Sequence, residues 1–116
     1  MTMQSEECLF CKFASGAIPV EKIYSTDTVF AINDINPQAP THVLIIPTQH
    51  DADAALVAAN QPGVMEHIFK AAAEIAKARG ISDYRTIFNT GAGAGQSVFH
   101  SHLHLMAGRE FTWPAG

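Results

Sequence analysis

Basic residues are scarce in this chain. Seven Lys and Arg against eleven Asp and Glu leave a formal net charge of −4, and no Lys/Arg stripe runs along any segment. Displacing counterions from a duplex or a long RNA needs such a stripe, so the sequence argues against a nucleic-acid polymer as partner. A single small phosphate is different, because backbone N–H groups and a few neutral donors can hold one. Long apolar runs are also missing: none approaches the roughly 20 residues that a membrane-spanning helix needs. The opening Met1-Thr2-Met3-Gln4-Ser5-Glu6-Glu7 has neither the basic cluster nor the apolar stretch of a secretory signal. The expectation is a cytoplasmic protein with no membrane partner. Cysteine is nearly absent, with only Cys8 and Cys11, in one Cys-x-x-Cys pair. In a cytoplasmic chain that spacing points to a metal or to redox chemistry more than to a structural disulfide. Thioredoxin-like use would place the pair where a strand meets a helix, and the helical pattern appears much later here. Repeats, low-complexity tracts and linkers are lacking too. With 116 residues, 47% apolar and 16% charged, the chain reads as one globular domain over residues 1–116.

The periodicities that are present sort into strands, then helices, then strands. Ile23-Tyr24 and Val29-Phe30-Ala31-Ile32 are β-prone runs separated by Ser25-Thr26-Asp27-Thr28. Two prolines exclude helix from Asp34 to Pro40, and His42 to Ile46 reads as a buried strand. Asp51 or Asp53 caps a short helix through Ala59. Val64, Ile68, Ala72, Ile75 and Ala76 share one face of a long helix that runs to Arg79 and closes at Gly80. Arg85 to Asn89 forms a strand, Thr90 to Gln96 a glycine-rich connection, and Val98 to Met106 a last strand. The expected fold is α+β: an antiparallel five-stranded meander sheet with one long and one short helix.

The last strand carries the chemistry. Alternation places His100, His102 and His104 on one face, and Phe99, Leu103 and Leu105 on the other with Ser101 as the exception. Each imidazole has a donor and an acceptor to satisfy, so three in a row are poor core material. A shared metal ion is one reading, but His100 and His104 would stand roughly 13 Å apart at about 3.3 Å per residue, which leaves at most two neighbours to ligate. Nucleophilic catalysis fits better. Neutral imidazole attacks phosphorus near pH 7, and flanking rings can orient it and hold phosphoryl oxygens.

The run Gln96-Ser97-Val98-Phe99-His100-Ser101-His102-Leu103-His104-Leu105-Met106 resembles the signature of the histidine-triad (HIT) family. Phe10-Cys11-Lys12, Gly16-Ala17-Ile18-Pro19, Asp34 through His42 and Ile46-Pro47 match as well. The Gly95-Gln96-Ser97-Val98 lead-in and the ending Trp113-Pro114-Ala115-Gly116 resemble the Hint branch, homodimeric purine nucleoside phosphoramidases. The resemblance makes His102 the nucleophile, His104 a phosphate contact, His100 a flanking member of the triad, Ser97 a hydroxyl beside the leaving nitrogen and His42 a further histidine packed behind the triad. It assigns Asn89 to a phosphate- or ribose-side contact, Asp34 to the ribose hydroxyls, and Leu9, Phe10, Phe13, Ile32 and Ile35 to the lining around the base. Backbone N–H groups from Gly95 to Val98 would face the charged oxygens, and Trp113 would reach a neighbouring subunit.

Relatives with this Cys-x-x-Cys and a His shortly after the Ile-Pro strand often hold zinc, with the first triad histidine as fourth ligand, so the resemblance further implies a structural Zn²⁺ on Cys8, Cys11, His50 and His100, with no metal needed for the chemistry itself. The partner it implies is a small nucleotide, an AMP or GMP derivative, cleaved at its P–N bond through a nucleotidyl-histidine. The same triad also serves dinucleoside polyphosphate hydrolases and nucleotidyl transferases, and a non-catalytic nucleotide-binding regulator would keep the same pocket. Ser101, Asn33 and Ala107 depart from the family pattern without touching the nucleophile.

Overall fold

The computed structural model describes residues 8–116, so Met1–Glu7 lie outside the described residues. The architecture is α+β, a five-stranded antiparallel sheet with helices on both faces. In chain order it comprises α1 (Leu9–Ser15), β1 (Tyr24–Ser25), β2 (Val29–Asn33), β3 (Thr41–Pro47), α2 (Ala54–Asn60), α3 (Val64–Ala78), β4 (Arg85–Ile87), a short 3-10 turn at Ala92–Ala94, and β5 (Leu103–Ala107). The strand order is β1-β2-β3-β5-β4. This differs from the expected meander, because α2 and α3 carry the chain past the position next to β3 and β5 returns to fill it.

Two further differences bear on the site. A third helix, α1, occupies the segment around the cysteines. It is only 7 residues long and no acidic residue marks its first turn. Its N-cap is Cys8, whose sulfur accepts the N–H of Cys11, and its C-cap is Gly16 at φ 84°. A thiol in place of the usual Ser, Asp or Asn hides the start signal. The cysteines therefore do sit at a helix start, contrary to the expectation that helix appears only later in the chain. The last strand, expected from Val98, begins only at Leu103, and residues 98–100 are bent. Phe99, expected in the core, is half exposed.

The pleat then decides what lies where. Val29, Ala31, Val43, Ile45, Leu103 and Leu105 face α2 and α3 and form the main core with Val57, Val64, Ile68 and Ile75. The α3 stripe is the one the sequence periodicity predicts. Phe30, Ile32, Leu44 and Ile46 point the other way and pack with Phe10 of α1. Both faces of β2 and β3 are therefore covered, which is why these strands read as unbroken apolar runs. In the ladder Ile32 stands opposite Leu44, and Leu44 opposite His104. The α1 face is thus also the histidine face.

Beyond β5, Gly108 lies at φ 99°, and a Cβ there would come within 2.8 Å of Pro40. Glycine lets the exit of β5 lie directly on the Asp34–Pro40 loop.

Candidate functional site

His100, His102 and His104 end up side by side although His100 and His102 precede the strand. The ring of Phe10 meets His102 edge-on at 5.2 Å and His100 at 5.9 Å, and His102 lies 5.0 Å from His104. Backbone carbonyls set the first two rings. His102 Nδ1 lies 2.9 Å from the carbonyl oxygen of His100. A carbonyl only accepts, so the neutral ring carries its proton on Nδ1 and leaves Nε2 with a bare lone pair. His100 Nε2 donates to the Pro47 carbonyl at 2.8 Å, which bares its Nδ1. Burial lowers the pKa of His102 from its ordinary value, so the ring stays neutral. Burial also brings His100 down to about 4.

The bared Nδ1 of His100 joins a second constellation. It lies 3.3 Å from Cys8 Sγ, 3.5 Å from Cys11 Sγ and 3.2 Å from His50 Nδ1. His50 Nδ1 is 3.5 Å from each sulfur. A tetrahedral ion with bonds of about 2.0–2.1 Å to nitrogen and about 2.3 Å to sulfur needs N···N edges near ~3.3 Å and N···S edges near ~3.5 Å. The donors are spaced as one ion requires, and they bind together the start of α1, the segment after β3 and the approach to β5. Side by side they are poor company for one another: burial and then the Cys8 sulfur push the Cys11 thiol up to about 12. A divalent ion reverses that, since a coordinating thiol is deprotonated outright.

Asp34, His42 and His104 form the third group. His42 Nε2 lies 2.9 Å from His104 Nδ1 and 3.4 Å from Asp34 Oδ2. The His42 and His104 centroids are 5.1 Å apart, about the sum for two rings meeting nitrogen to nitrogen head-on. At His50 and His100 the centroids are closer, 4.9 Å, although the nitrogens are farther apart. There the lone pairs splay toward a common point; at His42 and His104 they are spent on one hydrogen bond.

Burial first, then the neighbouring His102 and His42, hold His104 down to about 4. An unfolded histidine takes its proton near ~6.5, so between there and about 4 the unfolded state binds more protons and stability falls as pH falls. Urea unfolding at pH 7 and at pH 4.5 should show a smaller acid-induced loss in His104→Asn than in the wild type. An equal loss would mean that His104 does not titrate as its burial requires.

Residues 15–111 match the HIT domain model. The chain belongs to the HIT family. It is 40% identical over 111 residues to the 14 kDa zinc-binding protein of Zea mays, covering 93% of this chain and 87% of that one. A HIT family hydrolase from Legionella pneumophila Philadelphia 1 has 45% identity and a TM-score of 0.89, over 95% of this chain and all of that one. The histidine triad nucleotide-binding protein from Candida albicans has 31% identity and a TM-score of 0.78, over 95% of this chain and 85% of that one.

Around the HIT histidines, the remaining residues singled out from sequence fall in several places. Phe10 and Ile32 are buried and Phe13 is half-buried, whereas Leu9 is 43% and Ile35 100% exposed. Ser97 is exposed, Val98 packs on the Phe10 cluster, and Asn89 lies half-buried beside Gly95. Trp113 is 82% exposed, with the Arg85 guanidinium 5.7 Å from its ring.

Gln96 has a structural role that its place in the sequence does not signal. Its buried side chain accepts the Gly91 N–H at 2.8 Å and donates to the carbonyls of Ala52 at 2.6 Å and Val98 at 3.0 Å. It thereby shapes the whole glycine-rich connection of this HIT chain. The Ser101 hydroxyl is buried and has no partner among the described residues, and nothing in the structure explains it.

Proposed function

We propose that the chain hydrolyses the P–N bond of purine nucleoside phosphoramidates by way of a nucleotidyl-histidine on His102. The observation that carries this reading is the bare Nε2 of a half-buried neutral ring whose other nitrogen is committed to the His100 carbonyl. Nε2 attacks the α-phosphorus in line, the P–N bond breaks, and the amine leaves with a proton delivered from the side of Ser97. Water then attacks the same phosphorus, releasing the nucleoside monophosphate and returning the neutral ring. His104 and the N–H groups from Gly95 to Val98 hold the charged oxygens. Asp34 and Asn89 serve the ribose and phosphate side. Leu9, Phe10, Phe13, Ile32 and Ile35 line the base, and the exposed Leu9 and Ile35 are the members left for a ligand to cover. The hydrolase and nucleotide-binding names of the Legionella and Candida relatives support the class of reaction.

Cys8, Cys11, His50 and His100 hold a structural zinc, a reading supported by the donor spacing and by the name of the maize relative. Held there, such an ion would neutralise the two sulfurs, and His100 would be fixed with its carbonyl behind the nucleophile.

Trapping tests the proposal. After incubation with an adenosine phosphoramidate labelled in the nucleotide and an acid quench, label should reside on His102. Turnover with no label on that ring would defeat the mechanism. Faster hydrolysis of diadenosine tetraphosphate than of the phosphoramidate would move the assignment to the polyphosphate hydrolases of the same superfamily.

The chain acts as a homodimer. Support comes from the open edge at β4 and the large exposed side chains of Phe69, Tyr84, Phe99 and Trp113. Sedimentation at micromolar concentration should give twice the chain mass, and truncation before Trp113 should lower activity if that ring serves the neighbouring site. A monomer retaining full activity would remove the partner subunit from the mechanism.

A further inference from the structure

We propose that the main-chain N–H of Gln38, braced by Arg109, dictates which nitrogen of His104 carries the proton, and so whether the ring offers a donor or a lone pair to the substrate. Neither residue touches the triad, and neither stands out in the sequence. The Gln38 N–H donates to His42 Nδ1 at 3.0 Å. A backbone N–H can only donate, so His42 Nδ1 accepts, and the neutral ring carries its proton on Nε2. Nε2–H is then the donor in the 2.9 Å contact to His104 Nδ1, with Asp34 Oδ2 as a second acceptor at 3.4 Å. His104 Nδ1 is therefore the accepting nitrogen, and its proton sits on Nε2. The order runs one way, from the amide through two rings, and its direction originates at the amide.

The loop that carries this amide is held on several sides. Arg109 Nε donates to the Gln38 carbonyl at 2.8 Å, and the same guanidinium lies 4.3 Å from the Phe111 ring. Gln38 Nε2 donates to the Asn36 carbonyl at 3.0 Å, and the Asn36 N–H donates to Asp34 Oδ1 at 2.9 Å. The exit of β5 at Gly108 closes on Pro40. Such bracing suits a loop whose task is to aim one N–H group.

The catalytic consequence rests on the phosphoramidase reading above. A phosphoryl group presents anionic oxygens. His104 with Nε2–H donates a charge-assisted hydrogen bond to one of them, whereas the other tautomer would present a lone pair to the same oxygen. Gln38 and Arg109 are thus positioning residues: they act through His42 on the ring that meets the phosphate. His102 takes its tautomer from a carbonyl and His104 from an amide, so neighbouring rings expose opposite faces, one nucleophilic and one donating.

Ring ¹⁵N NMR on histidine-labelled protein reads the tautomers directly. His42 and His104 should both be in the Nε2–H form in the wild type. Gln38→Pro deletes the amide proton, and Gln38→Ala keeps it. In Gln38→Pro, His42 and His104 should become tautomer mixtures and kcat/KM should fall about 10- to 100-fold, whereas Gln38→Ala, which loses only the side-chain brace to Asn36, should keep both rings in the Nε2–H form. Arg109→Ala, a surface change, should shift the same two rings in the same direction. His104 in the Nδ1–H form in the wild type would overturn the proposal, whatever the variants do. So would a folded Gln38→Pro with unchanged ring signals. If the wild-type tautomers are as described but no phosphoramidate is turned over, the proton order stands and the functional reading falls.

Discussion

His102→Ala should lower phosphoramidate hydrolysis by at least about 10⁴-fold, while nucleoside monophosphate affinity changes by less than about tenfold. The asymmetry follows from the geometry. The bare Nε2 is the only group of that ring free to reach a substrate, because Nδ1 is bound to the His100 carbonyl. Removing the ring removes the bond-forming step outright, whereas the proposed binding mode spreads affinity over the Asp34 side, the Gly95–Val98 connection and the base lining. Single-turnover kinetics and calorimetry with AMP would separate the two quantities. Residual hydrolysis within tenfold of wild type would mean that another group attacks phosphorus. A lost affinity equal to the lost rate would make His102 a binding residue.

Cys8→Ser should abolish tight metal binding and lower the melting temperature by roughly 10 °C or more, since binding free energy at such a site is folding free energy. Metal analysis of protein purified without chelator should find close to one zinc per wild-type chain and far less in the variant. Cys8 has two roles to lose. Its sulfur caps α1 by accepting the Cys11 N–H at 3.2 Å and stands 3.3 Å from His100 Nδ1. Serine can keep the cap, so the drop should reflect the metal. Excess chelator should reproduce it in the wild type and leave the variant nearly unchanged. Wild-type protein free of metal at full stability would end the zinc assignment.

The parts of the fold that could be read in advance are those written in local periodicity. Asp53 caps α2 as its side chain suggests, and the α3 stripe turns toward the sheet. Strand alternation predicts that Leu103 and Leu105 face inward while His104 faces the other way. What periodicity could not supply was the order of the sheet. A strand returning after a helical excursion can add at an edge or fill a gap, and only competition for buried surface places β5 between β3 and β4. Helix α1 was missed because its cap is a thiol. The bend at residues 98–100 was missed because Val98 and Phe99 are as β-prone as the strand that follows, while Phe99 in fact points to solvent.

The same division runs through the candidate site. Residue types and spacing were enough to single out three histidines for phosphorus chemistry and the Cys8–Cys11 pair for a metal or redox use, whereas His50 and His100 joined that pair only through the family resemblance. Which nitrogen of each ring holds the proton was decided only by tertiary structure. The deciding groups are the carbonyls of His100 and Pro47 and the amide of Gln38. Two of them belong to segments distant in sequence from the triad, and all three are main-chain groups, which every residue carries alike and no amino-acid pattern can mark.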